Sequence, residues 1–390
     1  VTTPDQDHAL GHRLTALVCM VSLVAGFGWA LWSLDHARID AQALRPHAWL
    51  DGSAGRVLGK SLRLPAQGAI DTANAAVRYR LLGDLGDQTA LGCPQWMFYR
   101  DGLRPQPGVA ADVLRERVRL MRYWTGELRA KHIEVLVVAV PDKSRIEAAH
   151  LCGRAVSQGM RQRLDEWQDA LRDEGVPFVD LRATLEGHTE PMFFRTDVHM
   201  NADGARAAAT AVAQAALPLL GNQRGTQEFS IGKPGAPQVR IGDLLVLSGL
   251  QRAPRGWRPD LERVQPQDIE PVRSGGLLDA APPVEVLLAG SSNGRRSNFA
   301  PWLGIGLGRE VWNLSMDGGQ FSGALIAALK QRERWPNSLR LVIWEFSENA
   351  LSLPLTDDEK AVLAHLPARQ DVPRPPQAAA SAARAFAPSA

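Results

Sequence analysis

The stretch IEVLVVAVP (133–141) is apolar at almost every position and ends in proline. A strand with one covered face would alternate apolar with polar residues. A continuous run calls for a strand covered on both faces. The demand recurs in VPFVDL (176–181), VEVLLAG (284–290), VWNLSM (311–316) and LRLVIWEF (339–346). Helical spacing fills the gaps between them. Met160, Leu164, Trp167 and Leu171 mark one face of a helix over 158–174. An alanine-rich helix follows from about Ala202 to Leu219, and another helical stretch covers 323–335. Doubly buried strands separated by helices predict an α/β domain with a mostly parallel sheet. Hydrophobic residues make up 45% of the 390, enough for such a core and too many for global disorder.

The flanks are of another kind. Residues 14–34 hold no charge, and at about 1.5 Å per residue a helix of this length matches the roughly 30 Å hydrocarbon core of a bilayer. Arg13 precedes the run and Asp35 follows it, which places the N-terminus inside. Trp29 and Trp32 lie near the outer end, where an aromatic belt belongs. A secretory signal is the rival reading. This run is long for one, and no small-residue cleavage site closes it. The expected organisation is therefore a cytoplasmic N-terminus (1–13), an uncleaved transmembrane signal anchor (14–34), a stem (35–90) and an exported body (91–353). Within the body, 221–282 is rich in Gly, Pro and Arg without clear periodicity. It reads as an insertion in which IGDLLVLSGL adds a short strand or helix. The Pro- and Ala-rich end, 354–390, reads as a disordered tail.

Cysteine usage fits export. Cys19 lies in the apolar run, leaving Cys93 and Cys152 as one candidate disulfide, with two buried thiols as the alternative. A net charge of +2 with no basic stripe argues against nucleic acid. No His/Cys cluster has metal-ligand spacing, so no metal is expected.

Open parallel sheets place their sites at the carboxyl ends of strands. Three such ends carry suggestive residues. Gly290-Ser291-Ser292 closes one strand and can expose a serine hydroxyl. Gly318-Gly319 follows another and can aim backbone N–H groups at an anion. Asp197 and His199, in RTDVHMNADG, follow a third. A serine becomes a nucleophile when a histidine takes its proton, and the histidine needs a carboxylate to fix its tautomer. Each element has a plain counterpart. Asp-x-His can be a capping aspartate beside a surface histidine, Asn201 or Asp203 can cap the next helix, and both glycine turns can be simple connectors. Trp96, Tyr99, Trp302 and Trp312 can stack on sugar rings or sit in the core.

At these residues the chain resembles the bacterial alginate O-acetyltransferases of the AlgJ/AlgX type, whose catalytic domain is similar to SGNH hydrolases. WMFYRDG (96–102), VVAVPDKSRIE (137–147), RTDVHMNADG (195–204), LLAGSSNG (287–294), VWNLSMDGG (311–319) and VIWEFSENAL (342–351) carry the likeness. The resemblance implies a three-layer SGNH-hydrolase-like fold with Ser292 as nucleophile, His199 as general base and Asp197 as its orienter. Here the Asp and His precede the serine, opposite to SGNH hydrolases, as the acetyltransferase likeness leads one to expect. Ser291 stands where the family has Thr and competes with Ser292 for the nucleophile's role. Met200 stands where the family has Trp. Oxyanion or substrate contacts are expected from Asn293, Gly318, Gly319, Arg295 and Trp302, although Arg295 and Arg296 can equally be solvated charges.

The implied activity is acetyl transfer through a serine acetyl-enzyme to an exopolysaccharide such as alginate or cellulose. The domain would stand in the periplasm, held at the inner membrane. The likeness implies no cofactor, because a multi-pass MBOAT-type acyltransferase would supply acetyl among other polysaccharide-secretion subunits. An acetylesterase of the same fold and a non-catalytic scaffold or glycan-binding subunit are the alternatives.

Overall fold

The structure, a computed structural model, describes residues 4–62, 66–106, 108–110, 112–273 and 282–366, with backbone alone for 4–11 and 14. The chain divides into two compact units, Val1–Asn74 and Ala75–Ala390.

The first unit contains helix α1 (Pro4–His36), whose stretch Thr15–His36 has a mean hydropathy of 1.9 and is long and apolar enough to cross a membrane. The Trp29 and Trp32 rings meet near its end. Short helices follow at Ala41–Leu44, Pro46–Leu50 and Ser53–Ser61, and Ser33 Oγ donates to the Ser61 carbonyl (3.0 Å). The segment 35–90 is thus not a plain stem. Most of its described residues are helical, and those from Ala75 onward belong to the second unit. Ala76 and Leu85 pack there against Met97, Leu244 and Leu245. Such short apolar faces give too few repeats to register as periodicity.

The second unit is built on five parallel strands: β1 (Glu134–Val140), β2 (Phe178–Val179), β3 (Val286–Ala289), β4 (Val311–Asn313) and β5 (Leu341–Ser347), in the order β4-β3-β5-β1-β2. Side chains alternate between two cores, as the strand's period of two requires. Val135, Val137, Val342 and Trp344 face one cluster with helices α2 (Val113–Arg129), α3 (Gln158–Asp173) and a later helix, Gly323–Lys330. Trp167, Phe321, Trp344 and Phe346 meet edge-on there. Leu136, Val138, Leu288 and Ile343 face the other cluster, with α4 (Ala202–Ala216) and α5 (Phe299–Leu307). This is the three-layer arrangement expected. β2 and β4 stop short of their apolar runs, whose last residues, 180–181 and 314–316, lie beyond the strand ends.

Further regular structure lies in the insertion and at the end of the domain. The insertion is ordered where described: Phe229–Ile231 pairs with Ile269–Pro271, and Gln238–Arg240 pairs with Glu262–Val264, both antiparallel, with a helix at Asp243–Leu247. The proposed tail also begins too early. Residues Asp357–His365 form a helix, opened by a capping box between Thr356 and Glu359. Its Glu359 is buried beside Arg117 of α2. The remainder of the proposed tail, 367–390, lies outside the described residues.

Candidate active site

Three chain segments meet beyond the carboxyl ends of the strands. The first is the turn after β3. A Cβ on Gly290 would collide with Ser315 Oγ and Glu345, so the backbone here must be bare. Ser291 caps the short helix Ser292–Arg295, its Oγ accepting from the Asn293 N–H (3.2 Å) and donating to Glu345 (2.7 Å). That hydroxyl is spent internally. The Ser292 hydroxyl instead lies 2.7 Å from His199 Nε2.

The second segment carries Asp197 and His199. Phe193 and Met200 form an antiparallel bridge, and the Phe194 N–H donates to the His199 carbonyl (3.2 Å). This tight reversal lets two residues of an Asp-x-His motif face one point. His199 Nδ1 lies 2.6 Å from Asp197 Oδ1, so a proton on Nδ1 leaves Nε2 free to accept from Ser292. Asp197 is fully buried, and its Oδ1 also accepts the Val198 N–H (2.6 Å). Asn201, not Asp197, caps α4, and Met200 is buried.

The third segment is the insertion, and it supplies residues that the sequence did not single out. Arg240 donates to Asp197 Oδ2 through Nε (3.1 Å) and Nη2 (2.5 Å), and its guanidinium rests on Phe194. Burial pushes the Asp197 carboxyl up. The hydrogen bond and charge of His199, with Arg240's charge and bonds, outweigh burial and hold it well below the usual carboxylate range. Glu262 accepts the N–H groups of Arg195 (2.7 Å) and Thr196 (3.0 Å) and the Thr196 hydroxyl (2.6 Å). From the end of β1, Lys143 donates to the carbonyls of Met97 (2.7 Å), Arg195 (2.7 Å) and Asp197 (3.0 Å). Burial lowers the Lys143 ammonium to about 7, against the pull of Glu262 and Asp197. Two signals existed for these residues. Lys143 comes two residues after the proline that ends an apolar run, and Glu345 interrupts an apolar strand. Nothing in the aperiodic insertion marked Arg240 or Glu262.

The remaining candidates sort out as follows. Arg296, rather than Arg295, reaches the centre. Its Nη1 lies 2.9 Å from Asp243 Oδ2 and 3.2 Å from His199 Nδ1, and its Nη2 lies 3.4 Å from Asp317. Arg295 is largely exposed, 3.7 Å from Asp317. Asp317 precedes Gly318, whose φ of +71° is the left-handed region that suits glycine, and Gly319. This loop is tied to the serine turn by the Met316 N–H donating to the Gly290 carbonyl (3.0 Å).

Asn293 is a bridge: its Nδ2 donates to Ser347 Oγ (3.0 Å) and its Oδ1 accepts from the Met200 N–H (3.3 Å). Trp302 is placed elsewhere, packed on the second core with its face covered by Arg206 of α4. Trp96, stacked on His150, is buried in a separate small cluster with Phe98 and Leu151, and Trp312 packs against the first core. Cys93 and Cys152 are joined by a disulfide. Asp197, His199 and Asp243 bring possible metal ligands within 4.8 Å. Arg240 and Arg296 already hold those carboxylates, and His199 Nδ1 is turned to Asp197, so each donor atom is engaged.

Residues 89–348 match the family described as the SGNH hydrolase-like domain of the acetyltransferase AlgX. The probable alginate O-acetylase AlgJ of Pseudomonas putida is 27% identical over 296 residues, covering 73% of this chain and 75% of that protein. The alginate biosynthesis protein AlgX of Pseudomonas aeruginosa is 27% identical over 266 residues, 65% of this chain and 54% of that protein. The solved O-acetyltransferase domain of Pseudomonas putida AlgJ superposes with a TM-score of 0.61 at 23% identity, covering 71% of this chain and 98% of that one.

Proposed function

The chain belongs to the AlgX family of SGNH hydrolase-like acetyltransferases, and from that footing we propose that it moves acetyl groups onto exopolysaccharide hydroxyls through a covalent acetyl-enzyme on Ser292. The observation that carries the reading is the chain of contacts Ser292 Oγ–His199 Nε2 and His199 Nδ1–Asp197 Oδ1, at 2.7 and 2.6 Å. These are distances at which proton transfer accompanies nucleophilic attack.

In the first half-reaction His199 takes the Ser292 proton as Oγ attacks the acetyl carbonyl. The tetrahedral oxyanion collapses, and the donor's leaving group departs with the proton from His199. In the second, a sugar hydroxyl gives its proton to His199 and attacks the acetyl carbonyl. Ser292 Oγ leaves and recovers that proton. Asp197, held by Arg240, keeps His199 in the required tautomer and stabilises its charged form. The Ser292 N–H is the first oxyanion donor, with Gly318 and Gly319 on the neighbouring loop as partners. No cofactor enters this scheme.

The apolar helix Thr15–His36 supports a single-pass anchor at the inner membrane, with the catalytic unit in the periplasm. There a multi-pass acyltransferase of the MBOAT type would hand over acetyl. Alginate is the first candidate acceptor because the relatives carry its name. Cellulose is the second.

The test is acceptor partitioning. The full chain in detergent receives a chromogenic acetyl ester with oligosaccharides of mannuronate, cellulose or other glycans, and acetate release is compared with O-acetylated product. Acetylation of one glycan, lost in Ser292→Ala and His199→Ala, is the expected result. Acetate release indifferent to every glycan would make the protein an esterase. No turnover with either, by folded protein, would make it a scaffold.

A further inference from the structure

Every residue of β5 from Leu341 to Phe346 is buried, and one of them is a glutamate. Glu345 is 2% exposed and alternates onto the side of Leu341 and Ile343. A carboxyl in a strand core is costly unless its oxygens find donors. All of its donors come from one place. Oε2 accepts the N–H groups of Ser291 (2.6 Å) and Gly294 (3.1 Å), and Oε1 accepts the Ser291 hydroxyl (2.7 Å). The register explains the reach: Trp344 lies opposite Ala289, so Glu345 falls opposite the start of the serine turn.

Space for this carboxyl is made by glycine. A Cβ on Gly290 or on Gly294 would come within 2.9 Å of Glu345 Oε2. The Ser291 hydroxyl passes the network on by accepting the Asn293 N–H. Among the N–H groups of 291–294, those of Ser291, Asn293 and Gly294 are therefore drawn inward. The Ser292 N–H is not drawn into this network, and it belongs to the residue whose hydroxyl meets His199.

We propose that Glu345 is the positioning residue of the nucleophile turn: its carboxyl gathers the turn's other N–H groups so that Ser292 Oγ and Ser292 N–H face one acetyl carbonyl. This rests on the reading of Ser292 as nucleophile. The role requires acceptor oxygens at that reach rather than charge. Glutamine keeps one oxygen for the two N–H groups and can offer its amide to the Ser291 hydroxyl, which rotates to accept. Leucine leaves three donors unpaired in the core, and the turn opens toward water. Aspartate keeps the charge and withdraws the oxygens by one methylene.

The experiment uses the full chain in detergent with Glu345→Gln, Glu345→Asp and Glu345→Leu. Folding is checked by near-ultraviolet circular dichroism. Two rates are read: covalent labelling of Ser292 by phenylmethylsulfonyl fluoride, located by tandem mass spectrometry, and kcat and KM for a chromogenic acetyl ester. The expected result is Glu345→Gln close to wild type, with Glu345→Asp and Glu345→Leu losing about 100-fold in kcat, as for a misplaced nucleophile or lost oxyanion donor. Their labelling should slow in parallel, with KM unchanged. Folded Asp or Leu variants that label at the wild-type rate would overturn the proposal alone. So would a folded Gln variant as slow as Leu, because charge would then be what matters. Should Leu fail to fold, Asp and Gln decide. Wild-type protein that never labels at Ser292 would overturn the reading of the nucleophile, and this proposal with it.

Discussion

Replacing Arg240 by methionine is the most informative perturbation of the Asp197 pocket. Methionine keeps an apolar stem against Phe194 and removes the two charge-assisted bonds on Asp197 Oδ2. Asp197 is fully buried, whereas the Arg240 side chain is 22% exposed, so water can replace part of what is lost. Hydrogen bonds to charged groups contribute about 1.5–3 kcal/mol each. With water as partial substitute, the pair should cost about 2 kcal/mol. If that loss falls on the orientation of His199 in the transition state, kcat drops about 30-fold. The carboxyl also loses one of the influences that hold it low, so Asp197 will protonate at higher pH and activity will fail earlier on the acid side. The assay is acetyl-ester turnover by the full chain in detergent across pH, with thermal unfolding alongside. Arg255→Met serves as control, since that arginine is 90% exposed. An Arg240→Met protein with the turnover, acid limb and unfolding temperature of the control would refute the reasoning.

Three further outcomes follow from particular contacts. Burial pushes the Glu345 carboxyl up to about 7, so between about pH 4.5 and 7 the unfolded chain releases a proton that the folded chain keeps. Stability from this group is full below pH 4.5 and falls by up to roughly 3 kcal/mol as pH rises through 7. Glu345→Gln should flatten that slope in urea titrations, and an unaltered slope would count against it. The Cys93–Cys152 disulfide closes a sequence separation of 59, and its removal by Cys93→Ala with Cys152→Ala should lower unfolding stability by roughly 3–4 kcal/mol. Denaturant curves that overlay the wild type would contradict this. Glu359→Ala strands the buried Arg117 without its carboxylate and should cost about 3 kcal/mol, read in the same denaturant assay.

Much of the scaffold was legible because its physics is local. A doubly buried strand leaves a continuous apolar run, and 133–141 and 339–346 could hardly be anything else. The Asp-x-His and Gly-Ser-Ser segments were legible as chemistry because each sits directly after such a strand or before a helix. The choice between Ser291 and Ser292 was not, because it depends on Glu345 absorbing one hydroxyl from the neighbouring strand. Arg240, Asp243 and Glu262 were invisible for a related reason. They lie on short antiparallel pairs and one helical turn, far from the motif in sequence, and only tertiary contact brings them to it. Trp302 shows the reverse error. A tryptophan near a nucleophile looks like a sugar platform, but one turn into α5 it faces the helix α4 and not the trio.

The central claim is that acetyl resides on Ser292, and mapping the adduct tests it most directly. The full chain in detergent is mixed with a chromogenic acetyl ester, quenched within the first turnover, digested and sequenced by tandem mass spectrometry. A single acetyl group on Ser292, absent from Ser292→Ala and His199→Ala, is the result predicted. An acetyl group on Ser291, or folded protein that turns over the ester with no acetyl on either serine, would contradict it.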